Sequence, residues 1–369
     1  LSIFLGKMKL LEDLFRMKKV KKKLTIYDST LRDGAQTRGL AFGLNDKIRI
    51  AEILDNLKVD YIEAGWPGAN PTDDEFFKKV PKMSNSKIVA FGMTRKYGKS
   101  CQNDPGLNAV LNSGVSTACI VGKAWDFHVK KALGVSNKVN LDMIGDSIHY
   151  SSKRMDEIIF DAEHFFDGYK SNPKYSLKAI QIAYQAGAKY IVLCDTNGGT
   201  LPFELKKIIS DVQNFVPSEN IGVHFHNDSD LATANSLEAI RLGVGQVQGT
   251  FNGLGERCGN VNLVNVIANV CLKMGIKIEI RKNLKQLTNS SKMIDEILNR
   301  TPSRNLPFVG SAAFAHKGGL HISAVEKDPK SYEHIDPKLV GNERTLVVSN
   351  QSGKSNIISQ LKSLKIKFN

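Results

Sequence analysis

Long apolar runs are missing from this sequence of 369 residues, since no segment approaches the roughly 20 apolar residues that a membrane-spanning helix needs. Cysteine is also scarce, because the five cysteines are widely scattered and form no CxxC pair. That pattern argues against a disulfide framework or a zinc ribbon and favours free thiols in a reducing compartment. We therefore expect a globular protein of the cytoplasm that has no membrane partner.

Positive charge is abundant but unevenly distributed. The net charge is +14, yet residues 1–23 hold eight Lys or Arg against two acidic residues, and residues 338–369 hold six against one. No zinc-finger, RNP-like or KH-like signature accompanies this basic excess. The run KKVKKK at 18–23 is therefore interpreted as a solvated lead-in to the fold, and no nucleic-acid partner is expected.

Apolar strand-like segments alternate regularly with amphipathic helix-like segments along most of the chain. Eight such β-then-α units within about 250 residues predict a closed (β/α)₈ TIM barrel, whereas a doubly wound open sheet would fit the even spacing less well. The fold class is therefore α/β, a TIM barrel followed by a small helical subdomain. The predicted strands are 24–30, 59–65, 87–92, 117–122, 158–164, 190–196, 221–227 and 246–252.

The chain divides into four predicted parts. Residues 1–23 form a basic extension outside the fold, with Met17 as a plausible initiator, and residues 24–277 form the catalytic barrel. Residues 278–337 form a helical lid subdomain, and residues 338–369 begin a linker towards a regulatory domain that the chain lacks.

Helix boundaries follow from capping residues and glycine. Asn45 and Asp230 are predicted N-caps of two helices, and Gly243 is a predicted helix stop.

Polar residues stand where the predicted strands end, which is where barrel enzymes place their active sites. The stretch GVHFHNDSD, 222–230, contains two histidines two residues apart. Residues i and i+2 of a strand point to the same face, so His224 and His226 can offer two imidazoles to one metal ion. The polar strand ends are Asp28, Glu63, Glu163, Asp195, His224, His226 and Asn252.

Two loops supply further candidate groups. In YDSTLRDGAQ, 27–36, Arg32 offers a planar fork for a carboxylate or carbonyl oxygen, and an aspartate offers a hard oxygen ligand. Spacing alone leaves Asp28 and Asp33 both open as that ligand. The loop GTFNGLGERCGN, 249–260, has GxGxxxG spacing after the eighth strand, which does not fit a dinucleotide fingerprint. It is expected to bring Asn260 or Glu256 towards the metal.

Four motifs in order carry a family resemblance: YDSTLRDGAQ, LCDTNGGTLP, GVHFHNDSDLATAN and GTFNGLGERCGNVNLV. Together they resemble the DRE-TIM metallolyase family, and within it the Claisen-condensing isopropylmalate, homocitrate and citramalate synthases. The segments YIEAGWPGANPTDDEFF, FDAEHFFDGYKSNP and AFAHKGGLHISAV are most similar to the bacterial (R)-citramalate synthase branch. The likeness covers roughly residues 24–360.

The resemblance implies a role for each matching position. It implies metal ligation by four residues, namely Asp33, His224, His226 and Asn260. It implies that Arg32 contacts the 2-oxo acid oxygens, that Thr196 binds its carboxylate and that Glu163 belongs to the acetyl-CoA site. His321 and Tyr332 match catalytic positions of the lid, which in the family reaches the partner subunit's barrel in a homodimer, and His316 is their neighbour.

The activity that the resemblance implies is condensation of acetyl-CoA with pyruvate to give (R)-citramalate and CoA, in isoleucine biosynthesis. Glu163 and His321 are the candidate bases, and Mg²⁺ or Mn²⁺ is the expected metal, with Zn²⁺ as a further option. Without the regulatory domain, insensitivity to isoleucine is expected. The alternatives are another 2-oxo acid (2-oxoisovalerate or 2-oxoglutarate), an acyl-CoA lyase of the same superfamily, and a basic nucleic-acid-binding protein on an inactive barrel.

Overall fold

Eight parallel strands form a closed barrel in the computed structural model, which describes residues 24–80 and 82–347. Neighbouring strands follow chain order, and β1 pairs with both β2 and β8, which closes the sheet. The strands are β1 Thr25–Asp28, β2 Tyr61–Gly65, β3 Lys87–Met93, β4 Thr117–Lys123, β5 Glu157–Glu163, β6 Tyr190–Asp195, β7 Ile221–Phe225 and β8 Gln246–Gly249. All eight predicted strands are therefore confirmed, and their bounds differ from the prediction by at most three residues.

The helices that cover the barrel fall between these strands. Counting those of seven or more residues, they are α1 Leu44–Leu57, α2 Pro71–Lys79, α3 Pro105–Leu111, α4 Asn137–Ser152, α5 Phe165–Ser171, α6 Pro173–Gln185, α7 Leu205–Gln213, α8 Ala232–Arg241 and α9 Leu263–Leu272. An α turn Asp126–His128 continues as a π turn Val129–Leu133, and 3₁₀ turns lie at Gly34–Gln36, Cys101–Asn103, Pro202–Glu204, Ser218–Asn220 and Phe251–Gly253. No helix of residues 24–80 or 82–347 is both long enough and apolar enough to cross a membrane.

Local sequence accounts for where several helices begin. Helices α2, α3 and α6 each have proline at the first helical position, where a missing N–H leaves no hydrogen bond unmade. The residue before each proline caps the helix, because its side-chain oxygen accepts the backbone N–H of the third helical residue. These caps are Asn70, Asp104 and Asn172.

The two predicted N-caps are wrong. Helix α1 begins one residue before Asn45 and is capped by Gly43, whose N–H donates to the Asp46 carboxylate at 2.9 Å. Asp230 has a left-handed backbone conformation, φ 58°, and the amide oxygen of Asn227 accepts the N–H of Ala232 in its place. The predicted stop at Gly243 is confirmed, since that residue follows α8 with φ 101°, a conformation that glycine adopts without strain.

The barrel core has two separate apolar regions. Inside the barrel, strand side chains form one cluster, which contains Tyr27, Tyr61, Val89, Phe91, Cys119, Ile159, Tyr190, Val192 and Cys194. The outward-facing strand side chains pack with the helices in a much larger cluster. The alternation follows from the period of two in a strand, which sends successive side chains to opposite faces.

A helical region follows the barrel, as predicted. A 3₁₀ segment, Glu279–Gln286, leads into α10, Leu287–Ile297, and both pack against α1. Beyond them lie α11, Gly319–Lys327, two 3₁₀ turns at Pro329–Ser331 and Pro337–Val340, and a two-stranded parallel sheet of β9, Ala315–His316, and β10, Thr345–Leu346. The fold class is confirmed, whereas the boundary between 277 and 278 remains a prediction. The predicted extension at 1–23, and positions 348–369 of the predicted linker, lie outside the described residues.

Asn252, expected at the barrel mouth, instead joins the loop after β8 to α10. Its side-chain amide donates to the carbonyl oxygen of Ser291 at 2.9 Å and accepts the Ser291 hydroxyl at 2.6 Å. Asn252 also has a left-handed backbone, φ 58°, which asparagine tolerates better than most residues. This pair fixes the helical region to the rim of the barrel.

We predict that Asn252→Ala lowers the free energy of unfolding by about 2–4 kcal/mol, because it removes two hydrogen bonds and places a Cβ-bearing residue without a local polar group in a left-handed conformation. Asn252→Gly should lower it less. Glycine removes the same hydrogen bonds, but it adopts a left-handed conformation without strain. Denaturant titration of the three proteins measures both values. Equal stabilities of wild type and the alanine variant would contradict this account of the link.

Candidate active site

Three predicted metal ligands meet at the carboxyl ends of the strands. Asp33 lies in the loop after β1, His224 lies on β7, and His226 follows β7 by one residue. One ligand atom from each lies within 4.8 Å of the other two, and Asp33 Oδ2 is 3.2 Å from His224 Nε2. All three side chains are buried. Their arrangement suits one small cation.

Asn260, the fourth predicted ligand, is held beside this group by the backbone. It forms an isolated bridge with His226, and its side-chain Nδ2 donates to the carbonyl oxygen of Leu254 at 3.0 Å. That contact turns Oδ1 the other way, and Oδ1 is buried without a hydrogen-bond partner among the described residues. Gly255 makes the close approach possible, because a Cβ there would lie 2.3 Å from Asn260 Nδ2.

Buried polar atoms without partners are the observation that fits a bound cation. His226 Nδ1, like Asn260 Oδ1, has no hydrogen-bond partner within the part of the chain that the structure describes. Buried polar atoms are rarely left unsatisfied, since each costs about 1–3 kcal/mol. A carboxylate oxygen, imidazole nitrogens and an amide oxygen together form a donor set for a divalent metal.

The electrostatics favour the metal-binding forms of Asp33 and His226. Burial alone would raise the pKa of Asp33, but Arg32 and His224 outweigh it, so that pKa lies well below its usual range. Burial and the neighbouring His224 lower the pKa of His226 to about 4. Burial also acts against the charged form of His224, but the hydrogen bond to Asp33 outweighs it and raises that pKa. Asp33 is thus a carboxylate and His226 a neutral imidazole near neutral pH.

Asp28, the other aspartate that spacing left open, does not join this group. Its Oδ1 accepts the N–H of Thr30 at 2.8 Å, and burial raises its pKa to about 7. The structure therefore groups Asp33 with the histidines. Glu256, the alternative to Asn260, is largely exposed, and its carboxylate lies 3.7 Å from the guanidinium of Arg257.

Arg32 is anchored inside the barrel mouth. Its Nε donates to Glu63 Oε2 at 2.7 Å, and its guanidinium lies over the ring of Phe91, 4.0 Å from the centroid. Glu63 also accepts the hydroxyl groups of Tyr27 and Ser29. Burial disfavours the charged guanidinium, but Glu63 and Asp33 outweigh it and raise the pKa of Arg32. Arg32 therefore presents a permanent positive charge, with one terminal nitrogen 3.6 Å from Asp33 Oδ2.

Thr196 and Glu163 occupy the neighbouring strand ends. Thr196 follows β6, and its hydroxyl oxygen accepts the backbone N–H of His164 at 3.0 Å, which leaves the hydroxyl hydrogen available to a ligand. Glu163 ends β5 and forms an ion pair with Lys123, its register neighbour at the end of β4.

The two predicted lid residues lie together in the helical region that follows the barrel. The rings of His321 and Tyr332 are 4.2 Å apart between centroids, on α11 and just after a 3₁₀ turn. Within residues 24–80 and 82–347, no hydrogen bond, ion pair or ring contact joins either of them to the barrel mouth. Leu320 beside them is 86 % exposed. His316 makes a different contact, because its Nε2 lies 3.2 Å from the Glu333 carboxylate.

Sequence reasoning missed two features of the barrel mouth. His128 and His164 lie beside Glu163, with ring centroids 4.1 Å apart and ring planes tilted by 56°, and the three form another group of possible metal ligands. No spacing indicates this group, because His128 lies in the loop after β4, whereas Glu163 and His164 lie at the end of β5. Gln248 was also missed, although it alternates with Gln246 along β8 and both point into the barrel.

Comparison with known proteins adds to this geometry. The HMGL-like family model matches residues 23–294, and the model described as homocitrate synthase post-HMGL domain-like matches residues 308–369. An (R)-citramalate synthase of Aquifex aeolicus is 50 % identical over 94 % of this chain and 66 % of its own length. A 2-isopropylmalate synthase of Sulfurisphaera tokodaii is 32 % identical over 90 % of this chain and 83 % of its own length.

The chain spans 64–66 % of the length of the five curated (R)-citramalate synthases that it matches at 42–50 % identity. Among solved structures, hydroxymethylglutaryl-CoA lyase from Pseudomonas aeruginosa is similar with a TM-score of 0.63 and 21 % identity, covering 77 % of this chain and 96 % of that one. At that identity the likeness concerns the fold alone.

We predict that His224→Ala weakens Mn²⁺ binding by at least roughly 10–100-fold. Loss of an outer-shell partner typically costs that much, and this substitution removes a proposed ligand itself. Thermal unfolding should shift by only a few degrees. His149→Ala is the matched control, since His149 is an exposed histidine on α4. Calorimetric titration with Mn²⁺ measures the effect, and unchanged affinity in His224→Ala would exclude His224 as a ligand.

Proposed function

The chain belongs to the HMGL-like family, and we propose that it is a metal-dependent acyltransferase that condenses acetyl-CoA with pyruvate to give (R)-citramalate and CoA. The observation that carries this proposal is its similarity to five curated (R)-citramalate synthases over nearly all of this chain. The resemblance seen in the motifs is confirmed at the level of the family. The activity extends from those relatives to this chain as a proposal, since the chain spans only part of their length.

The proposed metal ligands are Asp33, His224, His226 and Asn260. Buried donor atoms without partners support this assignment, and mixed oxygen and nitrogen ligands suit Mg²⁺ or Mn²⁺, with Zn²⁺ as a further option. When bound, the metal would supply a Lewis acid for the keto and carboxylate oxygens of pyruvate.

Arg32 and Thr196 would bind and orient the 2-oxo acid. The Arg32 guanidinium is fixed by Glu63 and Phe91, so its charge is in place before the substrate arrives. A preorganised charge of this kind stabilises negative charge that develops on an oxygen, here the keto oxygen of pyruvate. Thr196 would donate its free hydroxyl hydrogen to the substrate carboxylate.

Carbon–carbon bond formation requires removal of a methyl proton from acetyl-CoA. Glu163 on β5 and His321 on the lid are the two candidate bases, because each is a titratable group expected near the thioester. The resulting enolate attacks C2 of pyruvate, and the keto oxygen becomes the hydroxyl group of the product. Water then hydrolyses the thioester and releases CoA, which makes the reaction effectively irreversible.

His321 and Tyr332 would act in the barrel of a second subunit. Among the described residues, no hydrogen bond, ion pair or ring contact joins them to their own barrel mouth. This and the exposure of Leu320 support a homodimer in which the lids are exchanged. Tyr332 is half-exposed, as expected of a side chain that a partner subunit would cover.

We predict that the purified chain with Mn²⁺ and acetyl-CoA releases CoA fastest with pyruvate. Its kcat/KM should exceed that for 2-oxoisovalerate by roughly 10–200-fold, the discrimination that small differences in an apolar side chain support. The preference over 2-oxoglutarate, which carries a second carboxylate, should be at least as large. A thiol-release assay with each acid measures this, and reactions without a 2-oxo acid give the hydrolysis background.

Other outcomes of the same assay contradict the proposal. A preference for 2-oxoisovalerate would indicate a 2-isopropylmalate synthase, which the relatives at 32–33 % identity make the second candidate. A preference for 2-oxoglutarate would indicate a homocitrate synthase. Cleavage of an acyl-CoA without net thioester hydrolysis would indicate a lyase.

A further inference from the structure

Gln248 is the direct neighbour of a proposed metal ligand. Gln248 on β8 and His224 on β7 are register partners in the sheet, so their side chains lie side by side inside the barrel. His224 Nδ1 is 3.0 Å from Gln248 Oε1, and both residues are buried. The opposite ring nitrogen, Nε2, is the one that lies 3.2 Å from Asp33 Oδ2.

The orientation of the Gln248 amide follows from its other neighbours. Its nitrogen, Nε2, faces two oxygen atoms, Asp161 Oδ1 at 3.1 Å and Gln246 Oε1 at 3.5 Å. A carboxylate accepts hydrogen bonds and an amide nitrogen donates them, so the nitrogen of Gln248 belongs on this side. A reversed amide would place its oxygen against the Asp161 carboxylate oxygen with no hydrogen between them. The Gln248 oxygen therefore faces His224.

This orientation determines which nitrogen of His224 carries hydrogen. Gln248 Oε1 can only accept, so Nδ1 must be the donor in the contact between them. In a neutral imidazole a hydrogen on Nδ1 leaves a lone pair on Nε2, and a metal ligand needs that lone pair. An outer-shell acceptor on the second nitrogen is a common way to fix a ligating histidine.

We propose that Gln248 is a positioning residue that accepts the Nδ1 hydrogen of His224 and thereby presents the Nε2 lone pair to the metal. Asp161 contributes by fixing the Gln248 amide in the required orientation. The inference rests on the proposed function because it takes His224 as a metal ligand. It deepens that function by tracing the geometry of one ligand to a polar chain inside the barrel, from Asp161 through Gln248 to His224.

Metal affinity tests the proposal without measuring turnover. Gln248→Met keeps the length of the side chain and removes the acceptor. Gln248→Glu keeps an oxygen facing His224, and a proton shared between its second oxygen and Asp161 Oδ1 takes the place of the amide hydrogen. Gln213→Met is the matched control, because Gln213 lies on α7 and donates only to the carbonyl oxygen of Leu242, outside the barrel. Each full-length variant is titrated with Mn²⁺ by calorimetry.

We expect Gln248→Met to bind Mn²⁺ on the order of 10–100-fold more weakly than wild type, as loss of an outer-shell partner does. Gln248→Glu should bind at least about tenfold more tightly than Gln248→Met, because an acceptor remains. Gln213→Met should match wild type. Equal affinities of wild type and Gln248→Met would overturn the proposal, and so would equal losses in the methionine and glutamate variants, since those would reflect packing alone.

Nitrogen-15 NMR of the metal-free protein provides a readout that does not depend on metal binding. A ring N–H signal of His224, assigned to the residue by its loss in His224→Ala and to Nδ1 by coupling of that nitrogen to Hε1 but not to Hδ2, should be present in wild type and Gln248→Glu and lost or rapidly exchanging in Gln248→Met. Absence of that signal in wild type would overturn the proposal. If wild type binds no Mn²⁺, the proposed function fails, and this spectrum still decides whether Gln248 fixes the His224 ring.

Discussion

Closure of the barrel between β1 and β8 is the constraint on which the candidate site depends, because its proposed ligands come from the loop after β1, from the end of β7 and from the loop after β8. Backbone and side-chain hydrogen bonds join these loops directly. Ser29 N–H donates to the carbonyl oxygen of Gly249 at 2.8 Å, and Asn227 N–H donates to that of Gly259 at 2.8 Å. Phe251 N–H donates to the hydroxyl of Thr30, also at 2.8 Å. A sheet left open at this seam would separate Asp33 from both histidines.

Charge inside the barrel mouth follows from the same arrangement. Arg32 and Glu63 are buried together, and burying such a pair gives little net stability because desolvation offsets the attraction. The pair instead fixes the position of a charged guanidinium at the barrel mouth. Together with the Lys123–Glu163 pair, this places alternating charges around the mouth of the barrel. A small anionic substrate would find its counter-charges already fixed there.

The regular alternation of strand-like and helix-like segments, together with the period of two within strands, made the barrel predictable. They identified all eight strands, and the spacing of His224 and His226 placed two imidazoles on one strand face. The choice of Asp33 over Asp28 came from family resemblance. Both residues lie on one short stretch, and the turn after β1, which sends their side chains to different places, could not be read from their spacing. Sequence reasoning misplaced Asn252 because a left-handed residue turns its side chain away from the strand direction. The contact between His128 and His164 joins the loop after β4 to the end of β5 and has no local signature.

The most direct test of the metal centre is an anomalous diffraction map at the Mn absorption edge, from crystals of this chain grown with Mn²⁺ and pyruvate. The account predicts one strong peak in contact with Asp33, His224 Nε2, His226 and Asn260 Oδ1, with pyruvate oxygens completing the coordination. A peak between His128, Glu163 and His164, the second group of possible ligands, with none beside His224, would contradict the account. So would a map with no peak at the barrel mouth.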